Sequence, residues 1–163
     1  AGRSSEVAGG ARFGILLVAP AVVLALFLRL LRLDRTGQNL YYAAGVRSML
    51  DSWHNFFYVS FDPGGALTID KPPLGFWLQA TAARALGFHY WVLAIPQVIA
   101  GVASVAILFL MVRPRYGLAV ASVSALVLAV IPASVASSRN NSLDTIAMLF
   151  MLLLRGWSSK PAS

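Results

Sequence analysis

Long apolar runs separated by short polar breaks organise this chain. The first run covers residues 13–31 and is long enough to cross a hydrocarbon core of ~30 Å as a helix. Pro20 is tolerated inside such a helix. Arg29 and Arg32, at its far end, are expected to snorkel to the interface. Residues 91–112 and 117–136 form two further runs of membrane-crossing length, and residues 143–154 open a fourth that soon meets Arg155. Residues 73–88 are apolar but short for a full span, and read as an interfacial or re-entrant helix.

Between residues 36 and 72 the pattern changes. Leu40, Ala43, Val46, Met49, Leu50 and Trp53 recur at helical spacing, with Asn39, Arg47, Ser48, Asp51 and Ser52 on the other side. That arrangement predicts a helix lying on a membrane surface. The stretch WHNFFY, residues 53–58, reads as an interfacial aromatic belt. Pro63-Gly64-Gly65 marks a turn, because proline presets φ and glycine permits positive φ.

Composition agrees with the pattern. Of 163 residues, 58% are hydrophobic and 12% charged, whereas a soluble domain carries about a quarter charged residues. The predicted class is therefore all-α, with several transmembrane helices and a large external first loop holding interfacial helices. The net charge of +7 is carried by basic residues flanking apolar runs, which fits anionic headgroups. Nucleic acid is not an expected partner, since no aromatic-basic RNA motif is present. There is no cysteine, so disulfides are excluded and the redox compartment is not readable. Arg3 and Arg12 ahead of the first run give it the outline of a signal peptide, but no small-x-small cleavage site follows; it reads as an uncleaved span.

Charge also suggests orientation. Arg113 and Arg115 stand in a short turn between two strong runs, which places that turn in the cytoplasm. Residues 1–12 are then cytoplasmic, loop 36–72 and the turn 139–144 are external, and the polar tail 155–163 returns inside. This holds if residues 73–88 do not cross; if they cross, Asp70 and Asp144 fall on opposite faces.

Few residues remain that carry chemistry. In Asp70-Lys71-Pro72-Pro73 the prolines hold Lys71 extended just before an apolar helix. A lysine on a rigid mount at a membrane surface suits a phosphate, and the helix beyond it gives a lipid tail a place to lie. The plainer alternative is a snorkelling lysine paired to Asp70 at a helix boundary. Asp144 opens a later apolar helix beside Arg139, Asn140 and Asn141; it serves either the helix dipole or a cavity at membrane depth. Asp62 precedes the Pro-Gly-Gly turn and is suited to bonding that turn's own backbone. His54 reads as interfacial packing, and His89 has no acidic neighbour. No P-loop, zinc spacing or Ser-His-Asp set appears. A transporter is disfavoured, because no run has a charge at mid-membrane and no inverted repeat is visible.

In order, the segments GQNLYYAAGVRSMLDSWHNFF, SFDPGGALTIDKPPLGFWLQA, IPQVIAGVASVAILFLMVRPRYG and SRNNSLDTIAML resemble the N-terminal part of bacterial membrane glycosyltransferases of the GT-C fold. The likeness is to the branch related to protein O-mannosyltransferases and lipid A aminoarabinose transferases, and it runs across residues 13–154. It implies a multi-pass enzyme of the plasma membrane whose active face is extracytoplasmic. Such an enzyme takes its sugar from a polyprenyl-phosphate donor and passes it to a glycan, lipid or protein acceptor. The family's acidic-Lys-Pro-Pro motif is matched by Asp70, Lys71, Pro72 and Pro73, and its later Leu-Asp by Leu143 and Asp144. On this resemblance Lys71 and Arg139 are expected to hold the lipid phosphate, while Asp62, Asp70 and Asp144 are the catalytic candidates. No cofactor is firmly implied; a divalent metal among the three aspartates is left open, with no spacing that indicates one.

The chain departs from the family twice. Relatives place an acidic residue, often Asp-Glu, where this sequence has Gln38 and Asn39. Asp62 is the candidate substitute for that base. Family enzymes are also several times longer, so the chain reads as a partial GT-C membrane module, inactive alone. The alternative reading is a non-catalytic remnant or a small accessory membrane subunit.

Overall fold

The computed structural model describes residues 18–158. The N-terminal segment 1–12, the start of the first apolar run and the last residues of the tail lie outside the described residues. Among the described residues the regular structure is helical, apart from one isolated antiparallel bridge between Ser60 and Thr68. The helices are α1 (Val18–Leu30), α2 (Leu40–Met49), α3 (Trp53–Tyr58), α4 (Pro73–Leu86), α5 (Tyr90–Val130), α6 (Pro132–Ser138) and α7 (Asp144–Ser158). A single 3-10 turn, Leu33–Arg35, follows α1.

α5 is the one described helix long and apolar enough to cross a membrane. It is not straight. Gly117 has φ 79° and ψ 178°, a conformation open essentially to glycine alone, and it divides α5 into two arms. On a straight helix Val105 and Ala125 would stand about 30 Å apart at 1.5 Å per residue. Instead Val105 and Phe109 share one buried cluster with Ala121, Ala125 and Ala129. The arms therefore fold back on each other, and the alanine stripe lets them approach closely. Ala21 and Ala25 of α1 complete the cluster. The second arm ends at Val130, short of residue 136, because Ile131 precedes Pro132 and is driven to extended geometry (φ −59°, ψ 124°).

A second cluster joins α2, α4 and the loop between them. Ala43, Val46 and Met49 pack with Val59, Ile69, Phe76, Ala80 and Leu93. The predicted apolar face of α2 is thus the buried one, though Leu40 and Trp53 at its ends are exposed. Ser48, expected on the polar face, is buried. Asn55 accounts for this by donating to the carbonyl and the hydroxyl of Ser48 at 3.3 and 3.2 Å.

Arg29 departs from the expectation of snorkelling. It is 0% exposed, and each of its five N–H groups has an acceptor. Nε donates to Ser138 Oγ (3.2 Å), Nη1 to the carbonyls of Ala25 and Ala129 (3.2 Å each), and Nη2 to Leu128 carbonyl (3.5 Å) and Ser134 Oγ (2.8 Å). Leu128 and Ala129 lie in the last turn of α5, where carbonyls are left without helical partners and the dipole is negative. The guanidinium caps that end and ties α1, α5 and α6 together.

Candidate functional site

Two sequence segments about a hundred positions apart meet at one end of this bundle. Asn141 Oδ1 accepts from the Asn39 amide at 2.7 Å, and Asn141 Nδ2 donates to the Asn39 carbonyl at 3.0 Å. Asn39 in turn caps α2, accepting from the amides of Tyr41 and Tyr42. Gln79 of α4, fully buried, donates to the Asn141 carbonyl at 2.8 Å. Gln38 donates to the Arg139 carbonyl, and Asn140 to that of Gly37. Gln38 and Asn39 thus stand against the turn that leads into Asp144. None of these long-range bonds is visible in the sequence. The only signal for them was a run of short polar residues flanked by apolar helices.

The heads of α4 and α7 touch. A Cβ placed on Gly75 would overlap Leu143, so glycine there allows the turn after Lys71-Pro72-Pro73 to seat against the Leu143-Asp144 step. Pro73 occupies the first turn of α4, where a missing N–H costs nothing. Lys71 stands just ahead, its side chain 45% exposed, with Nζ 3.7 Å from Asp70 Oδ2. Asp144 is in the first turn of α7, a position worth about 0.3–1 kcal/mol to a carboxylate through the helix dipole.

The structure separates the other candidates. Asp62 bonds its own turn: Oδ1 accepts from the Leu67 amide at 2.7 Å and Oδ2 from the Ala66 amide at 3.2 Å. These amides, Leu67 first, hold its carboxyl below the usual carboxylate range. Gly65 completes the turn with φ 74°. Arg139 Nη2 donates to the carbonyls of Leu31 and Arg32 at 2.5 and 3.4 Å, the chain just past α1. Among the described residues no group of three or more His, Cys, Asp or Glu side chains is gathered closely enough to hold a metal ion; Asp62, Asp70 and Asp144 form no such group.

Three hollows border this end. An apolar groove of about 430 Å³ runs between α4, α5 and α7, lined among others by Leu78, Ala82, Ile95, Ile99, Leu149 and Phe150. A polar hollow of about 280 Å³ lies between Thr36-Gly37 and Ala136, Arg139 and Asn140. A third, of about 320 Å³, has Ser134, Ser137, Asp144 and Thr145 on its walls with Leu128 and Met148.

A family model described as dolichyl-phosphate-mannose-protein mannosyltransferase matches residues 70–157, and the chain belongs to that family. The matched stretch starts at Asp70 and takes in Lys71, Arg139 and Asp144. The chain is 50% identical over 116 residues to "Putative mannosyltransferase YycA" of Bacillus subtilis (strain 168), a match covering 71% of this chain and 17% of that protein. It is 43% identical over 119 residues to "Putative mannosyltransferase YkcB" of the same organism, covering 73% of this chain and 16% of that protein. The chain therefore spans a small fraction of the length of these curated relatives. No solved structure matches it.

Proposed function

We propose that this chain forms the N-terminal membrane portion of a glycosyltransferase that takes a sugar from a polyprenyl-phosphate donor on the outer face of the plasma membrane. Family membership supports transferase chemistry. The observation that carries the donor class is the setting of Lys71. Its ammonium precedes the N-terminus of α4, itself the positive end of a helix dipole. Two positive features side by side favour an anion between them. The apolar groove begins further along the same helix at Leu78, which suits a phosphate attached to a long hydrocarbon.

In this reading Lys71 holds the phosphate and stabilises the charge it gains as the sugar-phosphate bond breaks. α1, the two arms of α5 and α7 are the spans, and the loop carrying α2 and α3 lies at the external surface. Trp53, Phe57 and Tyr58 are exposed there, as aromatic residues at a membrane interface are. The test is the affinity of the whole protein for a polyprenyl-phosphate hexose with Lys71→Ala. We expect at least a tenfold loss. Unchanged affinity would remove Lys71 from the donor site.

A second reading, a non-catalytic accessory subunit, is favoured by one observation. Gln38 and Asn39 replace the acids expected at that position, and Asn39 is committed to capping α2 and bonding Asn141. Transfer of label from the lipid donor by the wild-type whole protein, measured in membrane vesicles, excludes this second reading.

A further inference from the structure

The first arm of α5 and α7 run side by side in the same direction. Ile99 and Ile146 wall one groove, and further along a Cβ on Gly156 would lie 3.6 Å from Met111 Sδ. At that far end a hollow of about 320 Å³ opens between the two helices, lined by Leu110, Met111, Pro114, Arg115 and Gly156. Arg155 directly precedes Gly156. No Asp or Glu occurs between residues 71 and 143 or between residues 145 and 163, and Asp144 stands about 16 Å away along α7 at 1.5 Å per residue. Arginines near helix C-termini commonly spend their N–H groups on the last carbonyls, as Arg29 does at the end of α5. Arg115 and Arg155 do not: both are exposed, and neither has a hydrogen-bond or ion-pair partner among the described residues. The hollow also has an apolar side. Leu110 is 62% exposed, and Ile99, Ala103, Ala106 and Leu110 recur at the spacing of one helix face, so an apolar strip leads from the arginines along α5. Tyr116, exposed at the tip, is the kind of aromatic found at a membrane interface.

We propose that this hollow binds an anionic phospholipid, with its headgroup phosphate held by Arg115 and Arg155 and an acyl chain laid over Leu110. The proposal takes from the reading above only that α7 and the arms of α5 are spans; it does not depend on transferase activity. A guanidinium offers a planar fork of donors that matches phosphate oxygens, and two of them without carboxylates favour a net negative headgroup over a zwitterionic one. The apolar wall separates a lipid from a free phosphate, because a soluble anion gains nothing from Leu110 and Met111. Arginines beside a turn between spans favour the cytoplasmic side, whose leaflet carries the negative surface potential. The site is therefore at the opposite end of the bundle from Lys71, and the two lipids do not compete for one cation.

The experiment titrates the whole protein, in a neutral detergent, with phosphatidylglycerol and separately with phosphatidylcholine of the same chains. Bound lipid is read by native mass spectrometry. Micelles have no inner or outer face, so the result is independent of orientation. Arg115→Ala and Arg155→Ala are each expected to lose about fivefold in affinity for phosphatidylglycerol, and the double variant about 30-fold, with phosphatidylcholine unchanged. Arg35→Ala, which removes an exposed arginine paired with Asp34 at the other end, is the control with unchanged binding. Leu110→Asn is expected to weaken both lipids, since it removes the apolar side that they share. Equal affinity of wild type and the double variant for phosphatidylglycerol overturns the site and leaves the donor reading standing. Displacement of the lipid by glycerol phosphate at equal concentration overturns the lipid assignment in favour of a free phosphate. Binding of the polyprenyl-phosphate donor by the double variant is expected to match wild type; loss of both ligands together would mean that the arginines hold the fold, and overturns the site as well.

Discussion

Asn141 grips the backbone of Asn39 from both sides, accepting from its N–H at 2.7 Å and donating to its carbonyl at 3.0 Å. One side chain thereby replaces the pairing that a neighbouring strand would give, and it fixes the entry to α2 against the entry to α7. Truncating it leaves the Asn39 amide without a partner, while the Asn39 carbonyl keeps only its bond from the Ala43 amide at 3.0 Å. Asn141→Ala is expected to cost about 1–3 kcal/mol, the range for stranded buried polar groups. Thermal unfolding in mild detergent reads the loss as a lower Tm. An unshifted Tm would mean that water replaces both bonds and that the grip holds nothing.

Arg29 is the buried cation of this bundle, with no carboxylate beside it. Its charge is met by three carbonyls and two serine hydroxyls. Lysine has three donors where arginine has five, so Arg29→Lys must abandon two acceptors. It is expected to be destabilising, and Arg29→Ala more so, by more than about 3 kcal/mol, since it strands the carbonyls of Leu128 and Ala129 and the Ser134 hydroxyl, Ser138 keeping its bond to the Ser134 carbonyl. Gly101→Ala tests the same junction from the other side, because an added Cβ would meet Arg29 Nε and Ser138 Oγ. The order expected in thermal unfolding is wild type, then Arg29→Lys, then Arg29→Ala. Equal stability of the two Arg29 variants would reduce the residue to a space filler.

What the sequence shows well here is local. Helical spacing picked out Ala43, Val46 and Met49 as one face, and the Pro-Pro step announced the start of α4. The second arm's end was also legible, since a residue before proline rarely stays helical, but the apolar run past Pro132 outweighed that signal. What the sequence does not show is which polar residue finds a distant partner. Arg29 looks like any basic residue at the end of a span, and only the return of Ser134 and Ser138 a hundred positions later makes its burial affordable. Gln38 and Asn39 read as a gap in a family motif, yet structurally they bond Arg139 and Asn141, with Gly37 beside them taking Asn140. The turn-bonding role of Asp62 is legible from the Pro-Gly-Gly after it, whereas Asp70 and Asp144 stay open in the sequence between a local and a ligand-binding role.

The Asp62 turn predicts a local pH response. Hydrogen bonds from Leu67 and Ala66 lower the folded pKa beneath the ordinary value of 3.8. A carboxyl depressed by folding stabilises the folded turn above its unfolded pKa, and that contribution is lost as pH falls through the folded pKa. The turn should therefore be indifferent to pH near neutrality and loosen only in strong acid. The amide NMR shifts of Ala66 and Leu67 are expected to titrate together, with a midpoint below 3.8. A midpoint at or above that value would mean that the two bonds are not held in solution.

Orientation gives the last prediction. If the arms of α5 both cross the membrane, the turn at Gly117 and the loop at Asp62 lie on opposite sides. Arg113 and Arg115 flank that turn, and positive charge between spans favours the cytoplasm. Ala66→Cys and Tyr116→Cys place single thiols in a chain that has no native cysteine, at positions that are both exposed. A membrane-impermeant maleimide added to intact cells is expected to label residue 66 and spare residue 116, and to label residue 116 only after permeabilisation. Labelling of both from outside would mean that the hairpin of α5 does not traverse the bilayer, and the groove beside α4 would then face an interface instead of a hydrocarbon core. Labelling with the sides reversed would keep the spans and move Lys71 and Asp144 to the cytoplasmic face, where a different pool of lipid-linked sugar would have to serve as donor.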